Sequence, residues 1–548
     1  MSAAATGSQK SEVFVRKASG LVRTAGTLDV LAYNINFISI GLLLTFMLSL
    51  MPGLYPGVNM SLSTLVAVAV TVPTALVYGF LAASLPRSGG EYVYVSRILG
   101  PVWGTMANWN VTMWWFFYGG VPSAFFARYG LAPLFRALGA FTGNAGLVAA
   151  ADWAGSPTGT FVYGALLLVA LTVIFAVGLK RFFAVQNVLF FLALLSTLLV
   201  IVVWFTSPDG AFQAGLNTRL GALAGQEDLF GAIKEFAAGG GFALAPFSFY
   251  NTLIPMTWIY LNLGFSFSSA YIGGEVKNAS KLQLWASPAA IGIVAVVVLI
   301  VIAAAERAVG SEFLGSVGYF FPADWPGVGL SFAPTFAEMA AYTTSLPVAF
   351  LILFGFLFWS YAWLPGQILN GSRNLVAYAL DGLLPKRFAE VHPTYHTPVF
   401  SLSVMCVASI LSLAIYVFTP YFATLVGIFG FIITFGITSV AAMLLPYRQR
   451  DLFAASPVQW RVGGVPVITL VGGLSLAACV FMEWVFLSDP YAGLQTTVTP
   501  FFDKIPYGMA WFNVLIVLSG LLLYSIAKRV QARRGVQVDL TYKEIPSE

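Results

Sequence analysis

Charged residues are scarce in this 548-residue chain, at 9%, whereas hydrophobic residues make up 59%. Soluble globular proteins carry roughly 25% charged residues. The composition therefore excludes that class and predicts an integral membrane protein. The leader at 1–23 is polar and basic and has no apolar core, so we expect no cleavable signal peptide.

Histidine and cysteine are also rare, with two residues of each. His392 and His396 share one polar connection, whereas Cys406 and Cys479 lie in apolar runs, where we expect buried thiols rather than a disulfide or a metal site. The sequence has no HExxH motif and no GxxxxGK(S/T) phosphate loop. These absences argue against a membrane enzyme or an ATP-driven pump, and we expect no cofactor beyond a coupling ion.

Long apolar runs dominate the rest of the chain. A helix needs about 20 mostly apolar residues to cross a bilayer, and by that measure the sequence predicts an all-α integral membrane protein with 12 transmembrane helices. The runs are 28–50, 63–85, 101–126, 160–179, 183–205, 247–271, 287–305, 346–369, 398–418, 421–445, 465–487 and 510–526. The weakly apolar piece 131–151 is better explained as a loop helix.

The distribution of Lys and Arg predicts the orientation. With both termini in the cytoplasm, 21 of the 27 basic residues fall on the inside. The six outside are Arg128, Arg136, Arg219, Lys234, Arg307 and Lys504. We therefore expect a multi-pass protein of the plasma membrane with both ends cytoplasmic. The long outer connections 127–159, 206–246 and 306–345 are expected to hold short helices.

Two apolar runs are interrupted at matching places. The first run contains NINFISIG at 34–41, and the sixth leads into YLNLGFSFSSAYIGGEVK at 260–277. Broken backbone at membrane depth is tolerated only where protein or a wet cavity satisfies it. A pair of broken helices in two halves is typical of an inverted-repeat transporter with its site at the midplane. The alternative is that the glycines only allow close helix packing.

Three motifs resemble those of the amino acid–polyamine–organocation (APC) permeases. They are LPRSGGEYVY at 85–94, continuing to LGP at 99–101, then GGEVKN at 273–278, and GSRNL at 371–375 with DGLLPK at 381–386. They occur in the family's order, and the resemblance covers about 28–445. It implies a LeuT-like 5+5 inverted repeat with discontinuous helices 1 and 6, and alternating-access transport of amino acids or related amines.

The resemblance also implies a division of the chain. The leader is 1–27, the first five-helix repeat 28–205, the extracellular loop 206–246 and the second repeat 247–445. Two additional helices at 446–527 and a cytoplasmic tail at 528–548 follow. We expect a monomer or weak homo-oligomer in contact with membrane lipid, and no nucleic-acid partner.

By the same resemblance, the substrate lies at the two breaks. A half-helix N-terminus suits a carboxylate, which places it at Ser39, Ile40 and Gly41. Carbonyls at the end of the other half suit the ammonium, which places it at 261–264, including Leu261, Asn262 and Gly264. In this chain Ile38 and Ile40 flank Ser39, whereas family members usually have a glycine-rich break.

Side chains for the rest of the pocket are expected from helices three, six, eight and ten. The candidates are Trp114, Tyr118, Phe265 and Gln367, each of which is alternatively a packing residue. We also expected a break in helix eight at 365–367 (PGQ). Ser360 is a candidate for a sodium site with carbonyls of helix one, although proton coupling, exchange and facilitated uptake remain open.

The charge pattern narrows the substrate. No Asp, Glu, Lys or Arg lies midway in helices one, three, six, eight or ten, and a cationic substrate would need a buried carboxylate. We therefore favour a neutral or zwitterionic substrate with an apolar or aromatic side chain. A polyamine or organic-cation permease and a transport-deficient sensor are the alternatives. Glu483, deep in the eleventh run, is interpreted as satisfied by neighbouring helices rather than as a proton relay.

Overall fold

A computed structural model describes residues 20–320, 334–419, 426–494, 505–535 and 537–542. Nearly all ordered structure in these ranges is helical. The α-helices are α1 (Thr27–Ile38), α2 (Ile40–Leu54), α3 (Met60–Ser84), α4 (Glu91–Ile98), α5 (Pro101–Tyr118), α6 (Val121–Phe125), α7 (Ala132–Thr142), α8 (Ala145–Gly155), α9 (Pro157–Ala176), α10 (Leu179–Thr206), α11 (Ala211–Leu216), α12 (Ala222–Ala224), α13 (Leu229–Gly239), α14 (Phe249–Leu253), α15 (Met256–Leu263), α16 (Ala279–Ala308), α17 (Ser311–Phe320), α18 (Phe336–Tyr342), α19 (Leu346–Trp359), α20 (Trp363–Leu380), α21 (Val399–Phe418), α22 (Val426–Arg448), α23 (Arg450–Ala454), α24 (Val467–Ser488), α25 (Gly508–Ala532) and α26 (Val538–Thr541).

Shorter elements complete the description. Strands β1 (Arg461–Val462) and β2 (Val465–Pro466) form a small antiparallel ribbon before α24. Two π-helical segments, Phe126–Leu131 and Asn217–Gly221, lie within the outer connections, which otherwise contain α7, α8, α11 to α13, α17 and α18. The 3-10 segments Ser268–Tyr271 and Gly273–Glu275 follow α15.

Within the described residues, ten helical segments are long and apolar enough to cross a membrane. They are Thr27–Leu54, Met60–Ser84, Pro157–Ala176, Leu179–Thr206, Ala279–Ala308, Leu346–Leu380, Val399–Phe418, Val426–Arg448, Val467–Ser488 and Gly508–Ala532. The other two predicted runs, 101–126 and 247–271, are not among them. The first is made less apolar by Asn108, Asn110 and Thr112 in α5, and the second ends as an α-helix at Leu263.

The helices form a buried centre with an apolar outer surface. Helices α1 and α2 are almost entirely buried, and α3 packs against α16 and α24 beside them. On the outside, α9, α10, α24 and α25 expose large apolar side chains such as Leu166, Val188, Val480 and Leu522. An exposed apolar belt of this kind is what a protein surrounded by lipid requires. Both cysteines are free and buried.

The chain breaks between α1 and α2 at one residue. Ser39 has φ 51° and ψ 85°, a left-handed conformation that is rare for residues other than glycine. Its hydroxyl accepts from the Leu42 N–H at 3.3 Å and donates to the Trp359 carbonyl at 2.8 Å. These two bonds cap α2 and fix the break against the end of α19, so the strained backbone has local compensation.

The break in the eighth predicted helix lies elsewhere than expected. We placed it at 365–367, but the structure has it at 360–362, between α19 and α20. Pro365 instead lies in the first turn of α20. A proline is tolerated there because the first N–H groups of a helix have no intrahelical acceptor in any case.

Candidate functional site

A mostly apolar cavity lies between the α1–α2 break and the end of α15. Its wall combines residues from both interrupted helices with residues of α5, α6, α20 and α22. The lining residues are Phe37, Tyr118, Val121, Pro122, Leu261, Phe265, Trp363, Gln367, Ile428 and Phe431. No charged side chain belongs to this wall among the residues that the structure describes.

Half of the ten lining residues are aromatic. Phe265 meets Phe37 edge-on at 5.2 Å between ring centroids and Phe431 at 4.8 Å. Such T-shaped pairs fix ring positions beyond what burial alone does. Phe265 follows the last turn of α15, so the end of that helix places an aromatic face at the centre of the cavity.

Tyr118 belongs to the cavity wall, whereas Trp114 does not. The Tyr118 hydroxyl accepts from the Gly427 N–H at 2.6 Å. The Trp114 ring stacks on Tyr118 at 5.0 Å, on the side of α22. A Cβ on Gly427 would lie 2.2 Å from the Tyr118 ring and 2.6 Å from Trp114. Glycine at 427 therefore lets the two rings lie flat against α22, with Trp114 behind the cavity wall.

Polar groups at the end of α15 are left without partners. Just beyond the helix, the Gly264 N–H donates to the Tyr260 carbonyl, the Phe265 N–H to the Asn262 carbonyl, and the Ser266 N–H to the Leu263 carbonyl. The Leu261 carbonyl accepts none of these three hydrogen bonds. The Asn262 Oδ1 and Ser266 Oγ atoms are buried without a described partner as well. Buried polar atoms are almost always bonded, so this cluster has the properties of a ligand site.

Gln367 supplies a further unpartnered acceptor. Its side chain lines the cavity and is 8% exposed, and its Oε1 atom has no hydrogen-bond partner in the described part of the chain. An amide oxygen here and the Leu261 carbonyl on α15 are both acceptors at one cavity. Such a pair can bind an ammonium group without a full negative charge.

The first turn of α2 lies next to the cavity but does not line it. Ile40 and Gly41 occupy its first two positions, where N–H groups have no intrahelical acceptor. A Cβ on Gly41 would lie 2.4 Å from the Trp359 Cβ, so this glycine allows α2 to pack closely on α19. Ser360 is close by, but its hydroxyl donates to the Leu357 carbonyl at 2.7 Å.

The three sequence motifs contact one another in the structure. Glu275 and Arg373 form a bidentate ion pair with distances of 2.7 and 2.9 Å, and both side chains are buried. The Gly89 N–H donates to the Tyr271 carbonyl at 2.9 Å, and Arg97 pairs with Asp381 at 2.8 Å. These contacts tie the 3-10 segment after α15 to the loop before α4 and to α20.

Several cavity residues were missed by the sequence analysis. Phe37 lies inside the first interruption, at 34–41, and Trp363 follows the break between α19 and α20. Proximity to a helix break was therefore a usable signal for both residues. Val121 and Pro122 follow α5 in the short helix α6. Ile428 and Phe431 lie on α22 one turn apart, but nothing in their spacing distinguishes them from the other apolar residues of that helix.

Comparison with known proteins identifies the family to which the chain is similar. A family model described as Amino acid permease matches residues 35–531. The human protein named Large neutral amino acids transporter small subunit 2 is 24% identical over 397 residues, which cover 70% of this chain and 62% of the human one. The Bacillus subtilis (strain 168) protein named Branched-chain amino acid permease BcaP is 23% identical over 463 residues, covering 82% and 86%.

Proposed function

Because the chain belongs to the amino acid permease family, we propose that it is a secondary transporter of neutral amino acids with apolar or aromatic side chains. It works by alternating access to one site at the breaks of two helices. The observation that carries the proposal is the aromatic cavity beside those breaks, with unpartnered acceptors on Gln367 and at the end of α15. The names of the two relatives, which refer to large neutral and branched-chain amino acids, are consistent with it.

The substrate would lie with its polar end against the two breaks. The ammonium group binds the Leu261 carbonyl and the Gln367 Oε1 atom, with Asn262 and Gly264 shaping the last turn of α15. The carboxylate binds the N–H groups of Ile40 and Gly41 at the positive end of α2, next to Ser39. The two half-helix ends thus satisfy both charges of a zwitterion without an ionised side chain.

The apolar side chain of the substrate would fill the rest of the cavity. Phe265 and Tyr118 form its walls, with Trp114 supporting Tyr118 from behind. A polyamine or a cationic amino acid would place a second positive charge among these rings. No carboxylate lines the described wall to balance such a charge, and a buried charge without a counter-charge is costly.

We extend the proposal to the architecture and location. The runs 101–126 and 247–271 add two spans to the ten apolar ones, giving 12 in a LeuT-like arrangement of two five-helix repeats, 28–205 and 247–445. The protein lies in the plasma membrane, with the leader 1–27 and the tail 528–548 cytoplasmic, the loop 206–246 outside and two additional helices at 446–527. Coupling is to sodium, near Ser360 and the Trp359 carbonyl, or to protons.

Ligand-induced stabilisation tests the substrate class. A ligand that binds only the native state raises its stability by about 2.7 kcal/mol at 100 times its Kd. Leucine and phenylalanine should raise the unfolding temperature of the purified protein, and arginine and spermidine should not. The reverse pattern would overturn the proposal. Binding of leucine without exchange across a proteoliposome membrane would instead identify a substrate sensor.

A further inference from the structure

Buried carboxylates in the described part of the chain fall into two groups. In the first, each acid pairs with an arginine: Glu275 with Arg373 at 2.7 Å, Glu338 with Arg136 at 2.7 Å, and Asp381 with Arg97 at 2.8 Å. In the second, the described residues provide no cationic partner. The members of this group are Glu91, Glu483 and Asp489. A buried acid without a cation is costly to ionise, so the second group contains the candidates for proton binding.

Glu91 is the member of that group that lies among the three motifs. It is fully buried at the first position of α4. Its Oε1 atom accepts from the Asn108 amide at 2.8 Å, and its Oε2 atom accepts from the Tyr78 hydroxyl at 3.3 Å. The Tyr271 hydroxyl is a third neutral donor. Glu91 thus contacts α3, α5 and the 3-10 segment after α15.

Among the described residues, the titratable side chains that hydrogen bonds or charge interactions place beside Glu91 are tyrosines. They are Tyr78 on α3, Tyr271 after α15 and Tyr378 on α20, while α5 and α22 contribute the neutral Asn108 and Thr438. On α4 itself, Arg97 lies at the far end and is paired with Asp381. Tyrosine hydroxyls either donate or accept. The cluster can therefore satisfy Glu91 both as a carboxylate, which only accepts, and as a neutral acid, which must donate one bond.

The position of Glu91 links it to the 3-10 segment that follows the interrupted helix α15. The loop before it bonds the segment beyond α15 through the Gly89 N–H and the Tyr271 carbonyl, at 2.9 Å. A Cβ on Gly273 would lie 2.9 Å from the Arg87 carbonyl, so the two backbones are in close contact. Any separation of this segment from the loop, as alternating access requires, changes the surroundings of Glu91.

We propose that Glu91 is the site that binds the coupling proton, so that substrate transport is proton-linked through the contact between α4 and the segment after α15. This inference rests on the proposed transport function and adds its coupling ion. When the site opens to water, the carboxylate takes one proton and becomes a neutral acid that donates to a tyrosine hydroxyl. When the segment separates on the other side, the same proton returns to water. No other bond is made or broken.

The environment of Glu91 suits this exchange. Burial raises its pKa to about 7, despite the opposing hydrogen bonds from Tyr271, Asn108 and Tyr78. A group with that pKa gains and loses a proton readily near neutral pH. A carboxyl such as Glu275 lies against the Arg373 guanidinium, whereas the described donors to Glu91 are neutral amide and hydroxyl groups.

Hydroxyl groups lead from Glu91 into the protein. Tyr78 contacts Glu91 and also lies 3.4 Å from the Thr438 hydroxyl on α22. Ser439 is the residue after Thr438 on α22, and its hydroxyl oxygen lies 2.7 Å from that of Ser475 on α24. The Ser475 hydroxyl oxygen lies 2.9 Å from that of Thr74 on α3. This polar row runs between α3, α22 and α24.

Transport in sodium-free proteoliposomes tests the proposal. With acid outside, the wild type should accumulate labelled leucine, and a dye inside the vesicles should report proton entry only when leucine is present. Glu91→Gln should lose this accumulation, Glu91→Asp should retain it with a shifted pH dependence, and Glu483→Gln should behave as wild type. Counterflow of leucine without any pH gradient, measured in the same vesicles, reports whether each variant is still a working transporter.

The outcomes separate the two proposals. Wild type without counterflow, both in sodium-free vesicles and with equal sodium on the two sides, would refute transport itself. Wild type with counterflow in sodium-free vesicles but no leucine-dependent proton entry, or with counterflow only when sodium is present, would refute only proton coupling. Accumulation by Glu91→Gln at the wild-type level, or its loss in Glu483→Gln instead, would overturn the assignment to Glu91. If the Glu91→Gln variant shows no counterflow, the pH dependence of transport by the Glu91→Asp variant tests the proposal instead. An unshifted pH dependence in that variant contradicts the proposal, and a shifted one supports it.

Discussion

The ion pair between Glu275 and Arg373 provides the sharpest prediction of stability. The pair joins the segment after α15 to α20, and the side chains are only 2% and 0% exposed. Substituting Glu275→Gln removes the negative charge but leaves a buried guanidinium without a counter-charge. Breaking a buried pair in this way costs about 3–5 kcal/mol, so we expect a clear fall in the unfolding temperature.

A matched control is available on the outer side of the protein. Glu312 pairs with Lys234 at 2.6 Å, but the two side chains are 52% and 32% exposed. The same change there, Glu312→Gln, should cost at most about 1 kcal/mol because exposed pairs contribute little. The double variant Glu275→Gln with Arg373→Met should recover part of the lost stability, since it removes the orphaned charge as well.

Heating in detergent with a thiol-reactive dye measures these effects directly. Both Cys406 and Cys479 are free and buried, so they react only as the protein unfolds. The variant Glu275→Gln should unfold at a lower temperature than the wild type and than Glu312→Gln. Equal unfolding temperatures for the two single variants would show that the buried pair does not hold the segment after α15 against α20.

The remaining predictions concern the cavity and Glu91. Burial raises the pKa of Glu91 from 4.5 to about 7, so between these pH values the folded state holds a proton that the unfolded state releases. The free energy of unfolding should therefore fall by about 3 kcal/mol in total as the pH rises from 4.5 to about 7. In Glu91→Gln this part of the pH dependence should disappear from thermal unfolding. The Gly264→Leu variant should lose transport without unfolding, because a Cβ at this position already lies 2.9 Å from the Tyr260 carbonyl. The control variant Gly292→Leu has open space beside the substituted residue and should transport normally. The Gln367→Leu variant should bind leucine more weakly by about 1–3 kcal/mol, which is the usual cost of leaving a buried polar group without its partner. If calorimetry finds an unchanged affinity, Gln367 does not belong to the ammonium site.

Much of the fold can be predicted from the lengths of the apolar runs and from the polar residues that interrupt them. The length of each apolar run is set by bilayer thickness, so runs such as 160–179 and 465–487 coincide closely with α9 and α24. The first interruption was also visible, because Asn34, Asn36 and Ser39 are polar residues within an otherwise apolar run. The observed break lies at Ser39.

Other features depend on contacts between distant parts of the chain. Glu275 and Arg373 are 98 positions apart, and nothing local to either motif indicates that they pair. Trp114 and Tyr118 are one turn apart on the same helix, yet only Tyr118 lines the cavity. The rotation of α5 that decides this is set by Gly427 on α22, which allows the stacked rings to approach.

The cost of ionising Glu91 likewise depends on the fold rather than on its motif. In sequence, Glu91 resembles any acid in a polar loop after two glycines. Its partners Tyr78, Asn108 and Tyr271 come from three different elements, and together they bury it completely. Glu275 belongs to an equally polar motif, but an arginine from α20 reaches it. The difference between a paired and an unpaired acid is therefore visible only in three dimensions.

Substrate counterflow tests the central claim most directly, since it needs neither a coupling ion nor a gradient. Purified protein is reconstituted into vesicles loaded with unlabelled leucine, and entry of labelled leucine is followed with leucine, phenylalanine, arginine or spermidine as competitor. We predict rapid entry that phenylalanine inhibits and that arginine and spermidine leave unchanged. No entry above protein-free vesicles, or inhibition only by the cationic compounds, would contradict a carrier whose helix breaks and aromatic cavity bind a neutral amino acid.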